Sequence, residues 1–379
     1  MTRVEVRPVR TRSDLMRFIR LPWRVYRNSP NWVPPLIFER RHFLDRRKNP
    51  FFRHGDMELF IAWRGRDPVG RISAQYDDDY KAHQGNDSGF FGFFECLDDP
   101  EAAGALVEAA ERWLSERGHD RMVGPFDGTM NDEAGVLIEG FERRPMVKEP
   151  WQHPYYQDLL EGAGMQKAID LYMWDLQVDK RSAVAPMIWQ VAEQAEREHG
   201  IRLRHMSKRN LDREIEAFVE IYNAAWADNW GFTPMREEDF AYTAEEMKPL
   251  LSEDWLMACE NPAGRTIAVA LTIPDFNQAL GPANGRLLPL GWARLLWKLP
   301  RIDQVRVGFL GVLPEYQHTG VAALLYREHF DMAEKTRQKG GEMGWILENN
   351  TAMNRAMEGM GGTIVKRYRI YEKALRAGE

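Results

Sequence analysis

The sequence predicts an α/β protein made of two copies of one unit, each a mixed sheet flanked by helices. Three observations carry this expectation. Glu161-Gly162-Ala163-Gly164 returns as Glu358-Gly359-Met360-Gly361 at an offset of 197 residues, and a strand-like alternating run follows each, Ala168 to Leu176 and Val365 to Lys373. Upstream, Phe91-Gly92-Phe93-Phe94 pairs with Val307-Gly308-Phe309-Leu310 at an offset of 216, and the run from Val69 to Ala74 pairs with Ile267 to Thr272 at 198. The shifts of offset match two insertions, one around Gly128–Pro154 in the first copy and one around Gly281–Pro300 in the second.

Each copy opens with an amphipathic helix, Leu15–Tyr26 or Leu211–Ala227, whose apolar residues recur at helical spacing. Two strands joined by a turn come next, Glu58–Trp63 and Pro68–Tyr76 in copy one, Trp255–Cys259 and Thr266–Pro274 in copy two. A third strand leads into a helix (Pro100–Arg117; Gly320–Gln338) and then a strand (Arg121–Gly124; Gly344–Glu348). A short helix and the closing strand finish the unit. The implied organisation is a basic arm and first helix over residues 1–54, a first domain over 55–180, and a second over 181–379 that carries the insertion 281–300.

The composition fits this division. With 379 residues, 44% apolar and 28% charged, the chain has material for two cores and is too apolar to be disordered. Cys96 and Cys259 stand alone, which excludes a disulfide framework and a cysteine-based zinc site, and no metal is expected. No run approaches the ~18 apolar residues of a membrane span. The first twenty residues carry eight charged side chains and no apolar core, so no signal peptide is expected and a cytoplasmic location follows. The net charge of −6 hides an asymmetry: residues 1–50 hold thirteen Lys and Arg against four Asp and Glu. Such an arm suits anionic lipid, a phosphorylated cofactor, nucleic acid, or simply solvent.

The most informative segment runs from Gly308 to Ala322. A strand ends at Pro314, a turn follows, and a long helix opens near Gly320, with Gln317-x-x-Gly320-x-Ala322 placing small residues where backbone must come close to something. Unpaired N–H groups at such a helix start suit a pyrophosphate. Here the sequence resembles the GNAT superfamily of acyl-CoA-dependent N-acyltransferases, whose [Gln/Arg]-x-x-Gly-x-[Gly/Ala] loop is matched by Gln317 to Ala322. A second hallmark of that superfamily, an Asn opening a short helix with a Gly eleven residues later, is matched by Asn350 and Gly361. The resemblance covers residues 210–375, and the repeat extends its fold, though not its motifs, to 55–177. The fold class expected is therefore a tandem GNAT-like pair of mixed sheets with a degenerate N-terminal copy.

The resemblance implies a set of roles. The N–H groups of Gln317, His318, Thr319, Gly320, Val321 and Ala322 would cradle the coenzyme A pyrophosphate. Leu310 and Val312 would pair through backbone with the pantetheine arm, a backbone N–H near Val312 would polarise the thioester carbonyl, and Asn350 would bind the pantetheine side. Many members place a Tyr seven residues after the motif Asn to protonate the leaving thiolate; here Met357 occupies that position. Tyr368, Tyr371 and Tyr326 are the substitutes, unless the thiolate leaves without an acid. An amine nucleophile must also shed a proton, and Glu348 and Asp275, with Asn277 beside it, are the candidates for receiving it.

Copy one lacks this machinery. Where the phosphate loop belongs it reads Leu97-Asp98-Asp99-Pro100-Glu101-Ala102, whose carboxylates would cap a helix but repel a pyrophosphate. Its His153, Tyr155 and Tyr156 could line an acceptor cleft or pack as an aromatic core. The copy-two insertion, rich in Leu and Trp with interleaved Arg and Lys, suits a membrane interface, a path for an acyl chain, or packing on copy one. The chain also looks like a bacterial two-lobed GNAT group that includes the bacterial ceramide synthase type, which implies a long acyl group passed from acyl-CoA to a sphingoid or other lipid amine, with peripheral contact at the inner membrane surface. Acetyl transfer to a soluble small amine, and a coenzyme-binding protein without turnover, are the alternatives. Nucleic acid is not expected as a partner, because the rest of the chain is acidic.

Overall fold

The computed structural model describes residues 3–177, 181–248, 250–289 and 291–375, so the expected domain boundary at residue 180 falls outside them. The first copy runs β1 (Val4–Pro8), α1 (Arg12–Val25), α2 (Ile37–Phe43), β2 (Gly55–Arg64), β3 (Asp67–Asp77), α3 (Asp78–Gln84), β4 (Ser88–Cys96), α4 (Pro100–Ser115), β5 (Arg121–Gly124), β6 (Val136–Glu139), α5 (Tyr156–Gly162) and β7 (Gln166–Leu176). The second runs α6 (Pro186–His199), β8 (Arg202–His205), α7 (Leu211–Trp226), α8 (Glu237–Met247), β9 (Leu256–Glu260), β10 (Thr266–Pro274), α9 (Asn277–Leu280), α10 (Gly291–Lys298), β11 (Gln304–Val312), α11 (Val321–Lys335), β12 (Gly340–Leu347), α12 (Thr351–Gly359) and β13 (Thr363–Ala374). The helix starts follow local chemistry. Thr11 and Asp14 form a reciprocal capping box on α1, and Asp99 accepts from the Ala102 N–H ahead of Pro100 in α4.

The repeat is visible in the elements. β4 and β11 are each nine residues long and stand 216 residues apart, the offset read from the sequence. The compact units, however, are not continuous stretches of chain. One comprises Met1–Leu171, Leu280–Arg294 and Lys366–Glu379; the other comprises Tyr172–Ala279 and Leu295–Val365.

In the first unit β1, β2, β3 and β4 pair antiparallel in order, β4 pairs parallel with β5, and β5 pairs antiparallel with the end of β13, Tyr371 opposite Gly124. That strand is held by charge as well as backbone. Lys366, fully buried, bonds Glu149 at 2.8 Å, and Arg369 bonds Asp170 at 2.8 Å. Beneath α1, Phe18 and Ile19 pack with Phe51, Met57, Ile61 and Phe93. The α4 helix buries Ala102, Ala103, Leu106, Val107, Ala110 and Leu114.

In the second unit the order is the end of β7, then β12, β11, β10, β9 and β8. β11 is antiparallel to β10 and parallel to β12. Phe218 and Tyr222 of α7 bring their rings within 4.8 and 5.6 Å of Phe309 on β11. Helix α11 buries Val321, Leu324, Leu325 and Phe330 and packs against β9, β10 and β11.

Candidate active site

The site grows from the way β11 leaves β12. Their parallel pairing runs from Gln304 opposite Gly340 to Val307 opposite Met343. Both strands continue, to Val312 and Leu347, and among the described residues their pairing goes no further. A bulge accompanies the parting. Leu271 of β10 faces Phe309 while its neighbour Thr272 faces Val307, so Gly308 is the extra residue that bends β11. The result is a wedge-shaped opening whose vertex lies at Val307 and Met343. Backbone N–H and C=O groups on that side of β11 can pair with an extended ligand arm as with an added strand.

The wide end of the wedge leads to the turn. Leu313 N–H bonds Ile267 O, the tight helical turn Pro314–Thr319 follows, and Gly320 at φ +77° opens α11. Gly320 is required twice over: the backbone is left-handed there, and an added Cβ would meet Val191 of α6 at 2.4 Å. No side chain caps this helix. Its first-turn N–H groups therefore form an anion-ready end, apart from Ala323, whose N–H is taken by Gly320 O. Gln317 and His318 are exposed, whereas Thr319 is buried with its hydroxyl donated to Tyr316 O at 2.6 Å. Asn350 caps α12, accepting the Met353 N–H at 3.1 Å, at the far end of β12.

The candidate acid and base residues scatter. Tyr368 and Tyr371 are buried in the first unit, their hydroxyls bonded to Pro150 O and to Glu161. Tyr326 belongs to the second unit, where its hydroxyl lies 3.6 Å from the Met353 sulfur and burial pushes its pKa up to about 12. Met357 is buried. Glu348 follows β12 at the wide end, level with Val312 if the register is extended, four residues beyond the bulge. Asp275 sits at the opposite end of β11: its N–H bonds Gln304 O, and its carboxylate takes the Asn277 N–H at 3.2 Å.

Two residues not anticipated stand at the vertex. Arg306 and Glu342 are register partners on β11 and β12, one step before the strands part, and both are buried. The bulge puts Arg306 on the face of β11 that also presents Phe309, since their partners Ile273 and Leu271 are two apart on β10. The signal was present in the sequence as charged residues inside otherwise apolar strands. Arg306 donates to Gly344 O at 3.3 Å and lies over the Trp345 ring at 5.0 Å. Where α7 packs on β11, Phe218, Tyr222 and Trp226 surround Phe309 with ring centroids 4.8 to 5.6 Å away, an aromatic wall just past the bulge.

The first copy treats the same place differently. Among the described residues β4 pairs with β5 only from Ser88 opposite Arg121 to Phe90 opposite Val123. The chain after β5 then stays on β4: Phe126 N–H bonds Phe91 O at 2.8 Å, and Phe93 N–H bonds the Asp127 carboxylate at 2.6 Å. Gln75 fixes this segment by donating to Phe126 O and Gly128 O, both at 2.7 Å. Gly92 has no room for a Cβ, which would lie 1.8 Å from Phe126 O. The rings of His153, Tyr155 and Tyr156 pack with Tyr26 and Trp151 as an aromatic cluster, and Tyr156 donates to Glu95 at 2.6 Å. In the same unit His54, Asp77 and Asp79 bring ligand-type atoms within 4.8 Å of one another; His54 Nδ1 lies 3.0 Å from Asp77, which also caps α3.

No protein-family model matches the sequence. Among curated proteins, the chain is 35% identical over 376 residues to Protein YghO of Escherichia coli (strain K12), covering 98% of this chain and 95% of that protein. It is 37% identical over 379 residues to the Bacterial ceramide synthase of Caulobacter vibrioides, covering 98% of each. Among solved structures it is similar to the tandem GNAT protein from the clavulanic acid biosynthesis pathway, with a TM-score of 0.58 at 11% identity over 99% of this chain and 100% of that one. A GCN5-related N-acetyltransferase from Sphaerobacter thermophilus gives a TM-score of 0.54 at 13% identity over 99% and 97%.

Proposed function

Since the chain belongs to the GNAT acyltransferases, in the two-lobed group that holds the bacterial ceramide synthase, we propose that it moves a long acyl group from an acyl-CoA thioester to the primary amine of a sphingoid or related lipid. The observation that carries the reading is the wedge between β11 and β12, open at its wide end onto the uncapped turn at Gly320. The relative's name supports the lipid amine, and the aromatic wall around Phe309 supports an apolar chain on either substrate.

In this reading the N–H groups of Gln317 to Ala322 bind the pyrophosphate, and Leu310 and Val312 pair with the pantetheine arm inside the wedge. Asn350 borders the arm from α12. A backbone N–H on the edge of β11 that faces the wedge, just past the bulge, polarises the thioester carbonyl and holds the charge that forms on its oxygen. In copy one the Phe93 N–H, beside the corresponding strand parting, holds a carboxylate oxygen. The amine attacks the thioester carbon directly, the carbon–sulfur bond breaks, and the thiolate leaves. Glu342 receives the ammonium proton at the vertex, and Tyr326 returns one to the sulfur. Glu348, beyond the end of β12, and Asp275, beside the start of β11, take no part in that step in this reading. The free buried thiols Cys96 and Cys259 suit a cytoplasmic setting.

Mass spectrometry of products from C2 to C18 acyl-CoAs offered with sphinganine or soluble amines tests this. An N-acyl sphinganine formed fastest with the longer chains supports the reading. Turnover confined to acetyl-CoA and soluble amines would replace the lipid acceptor, and coenzyme binding without any product would leave a binding protein.

A further inference from the structure

Among the described residues six large apolar side chains are exposed, and four of them fall within ten positions: Leu288, Trp292, Leu296 and Trp297, at 77, 50, 58 and 60%. Three of these lie on α10, where Trp292 and Leu296 are one turn apart on the same side and Trp297 adjoins them. A fifth, Phe38 on α2, is brought to the root of the same insertion. There Ile37 N–H bonds Gly285 O at 3.0 Å and the Trp23 indole bonds Asn284 at 2.8 Å. Gly285 fits only because it lacks a Cβ, which would meet Trp23 at 2.4 Å and Pro35 O at 2.9 Å. The basic arm thus clasps the base of the insertion.

Charge says what this surface would meet. Residues 281–301 contain Arg286, Arg294, Lys298 and Arg301 and no acidic residue, in a chain of net charge −6. Arg286, Arg294 and Lys298 form no ion pair among the described residues, and exposed Arg41 on α2 forms none either. Solvent-facing Trp and Leu interleaved with unneutralised cations match a bilayer interface, where indoles sit at headgroup depth and long basic side chains reach the phosphates. An interface with a second copy would instead have to find acidic partners for these cations.

We propose that the insertion carrying α10 forms a docking surface for anionic phospholipid, which holds the enzyme at a bilayer. Binding requires neither coenzyme nor amine, so it stands apart from the acyl-transfer reading. Flotation of the full chain with phosphatidylcholine vesicles, with and without about 30% phosphatidylglycerol, tests it. The protein should float with the anionic vesicles, and salt should weaken this. Trp292→Ser with Trp297→Ser, and separately Arg294→Glu with Lys298→Glu, should each lower the bound fraction roughly tenfold with melting temperature and coenzyme affinity unchanged. Absence of flotation with anionic vesicles, or binding equal in the folded variants, would overturn the proposal. So would a dimer, seen by light scattering, that the tryptophan substitutions dissociate.

Discussion

The Phe93 N–H donates to a carboxylate oxygen of Asp127 at 2.6 Å, and through this bond the first copy closes over its own strand where the second copy parts. Asp127 is buried, and desolvation, reinforced by nearby Glu133 and opposed by Arg40 and Arg71, raises its pKa to about 7. A carboxyl whose pKa is higher folded than unfolded binds more protons in the folded state, so its effect is to lower stability as pH rises from about 4 to about 7. Asp127→Asn should therefore flatten the fall in melting temperature between pH 5 and pH 8, read by thermal denaturation across that range. An unchanged slope would place the titration elsewhere.

The turn at Gly320 should respond to backbone rather than to side chains. Gly320→Ala puts a Cβ against Val191 in a left-handed conformation, and a loss of stability above ~1 kcal/mol with weakened coenzyme binding is expected. Gln317→Ala and His318→Ala alter exposed side chains and should leave affinity within about twofold, because N–H groups are what bind. Calorimetry on the three variants checks the contrast.

Glu342→Gln and Tyr326→Phe separate the two proton steps. Each should lower kcat by about 10²-fold or more with little change in coenzyme affinity. Tyr326 with its pKa pushed to about 12 remains protonated across the working range, as a donor must. Glu348→Gln and Asp275→Asn, away from the bulge, should act on stability or affinity instead. Steady-state kinetics beside coenzyme titration distinguishes these outcomes.

Lys366 and Glu149 form a fully buried pair that anchors the C-terminal strand in the first unit. Lys366→Ala strands a buried carboxylate and should cost about 3–5 kcal/mol, measured by urea unfolding. A loss below ~1 kcal/mol would mean the strand is held by its backbone pairing alone.

Much of this was legible in the sequence. The offset of 216 recovered β4 and β11 residue for residue, because strand alternation and the Gly92 and Gly308 positions survive in both copies. The motif spacing likewise found the cap at Asn350 and the turn at Gly320. Pairing partners were not legible. Nothing in the alternation of Val365–Lys373 says that Lys366 onward joins the first unit, since a period of two fixes faces and not neighbours. The proposed acid, Tyr326, was among the candidates read from the sequence, but the proposed base, Glu342, was not, for a related reason: it and Arg306 stand out only because two strands stop pairing one residue later.

The central claim, one coenzyme site per chain held by the second copy, is tested most directly by the stoichiometry of coenzyme A binding in isothermal titration. One molecule bound per chain, with binding lost or strongly weakened in Gly320→Ala and kept in Asp127→Asn, is the expected result. Two molecules per chain, or one whose affinity ignores Gly320, would contradict it.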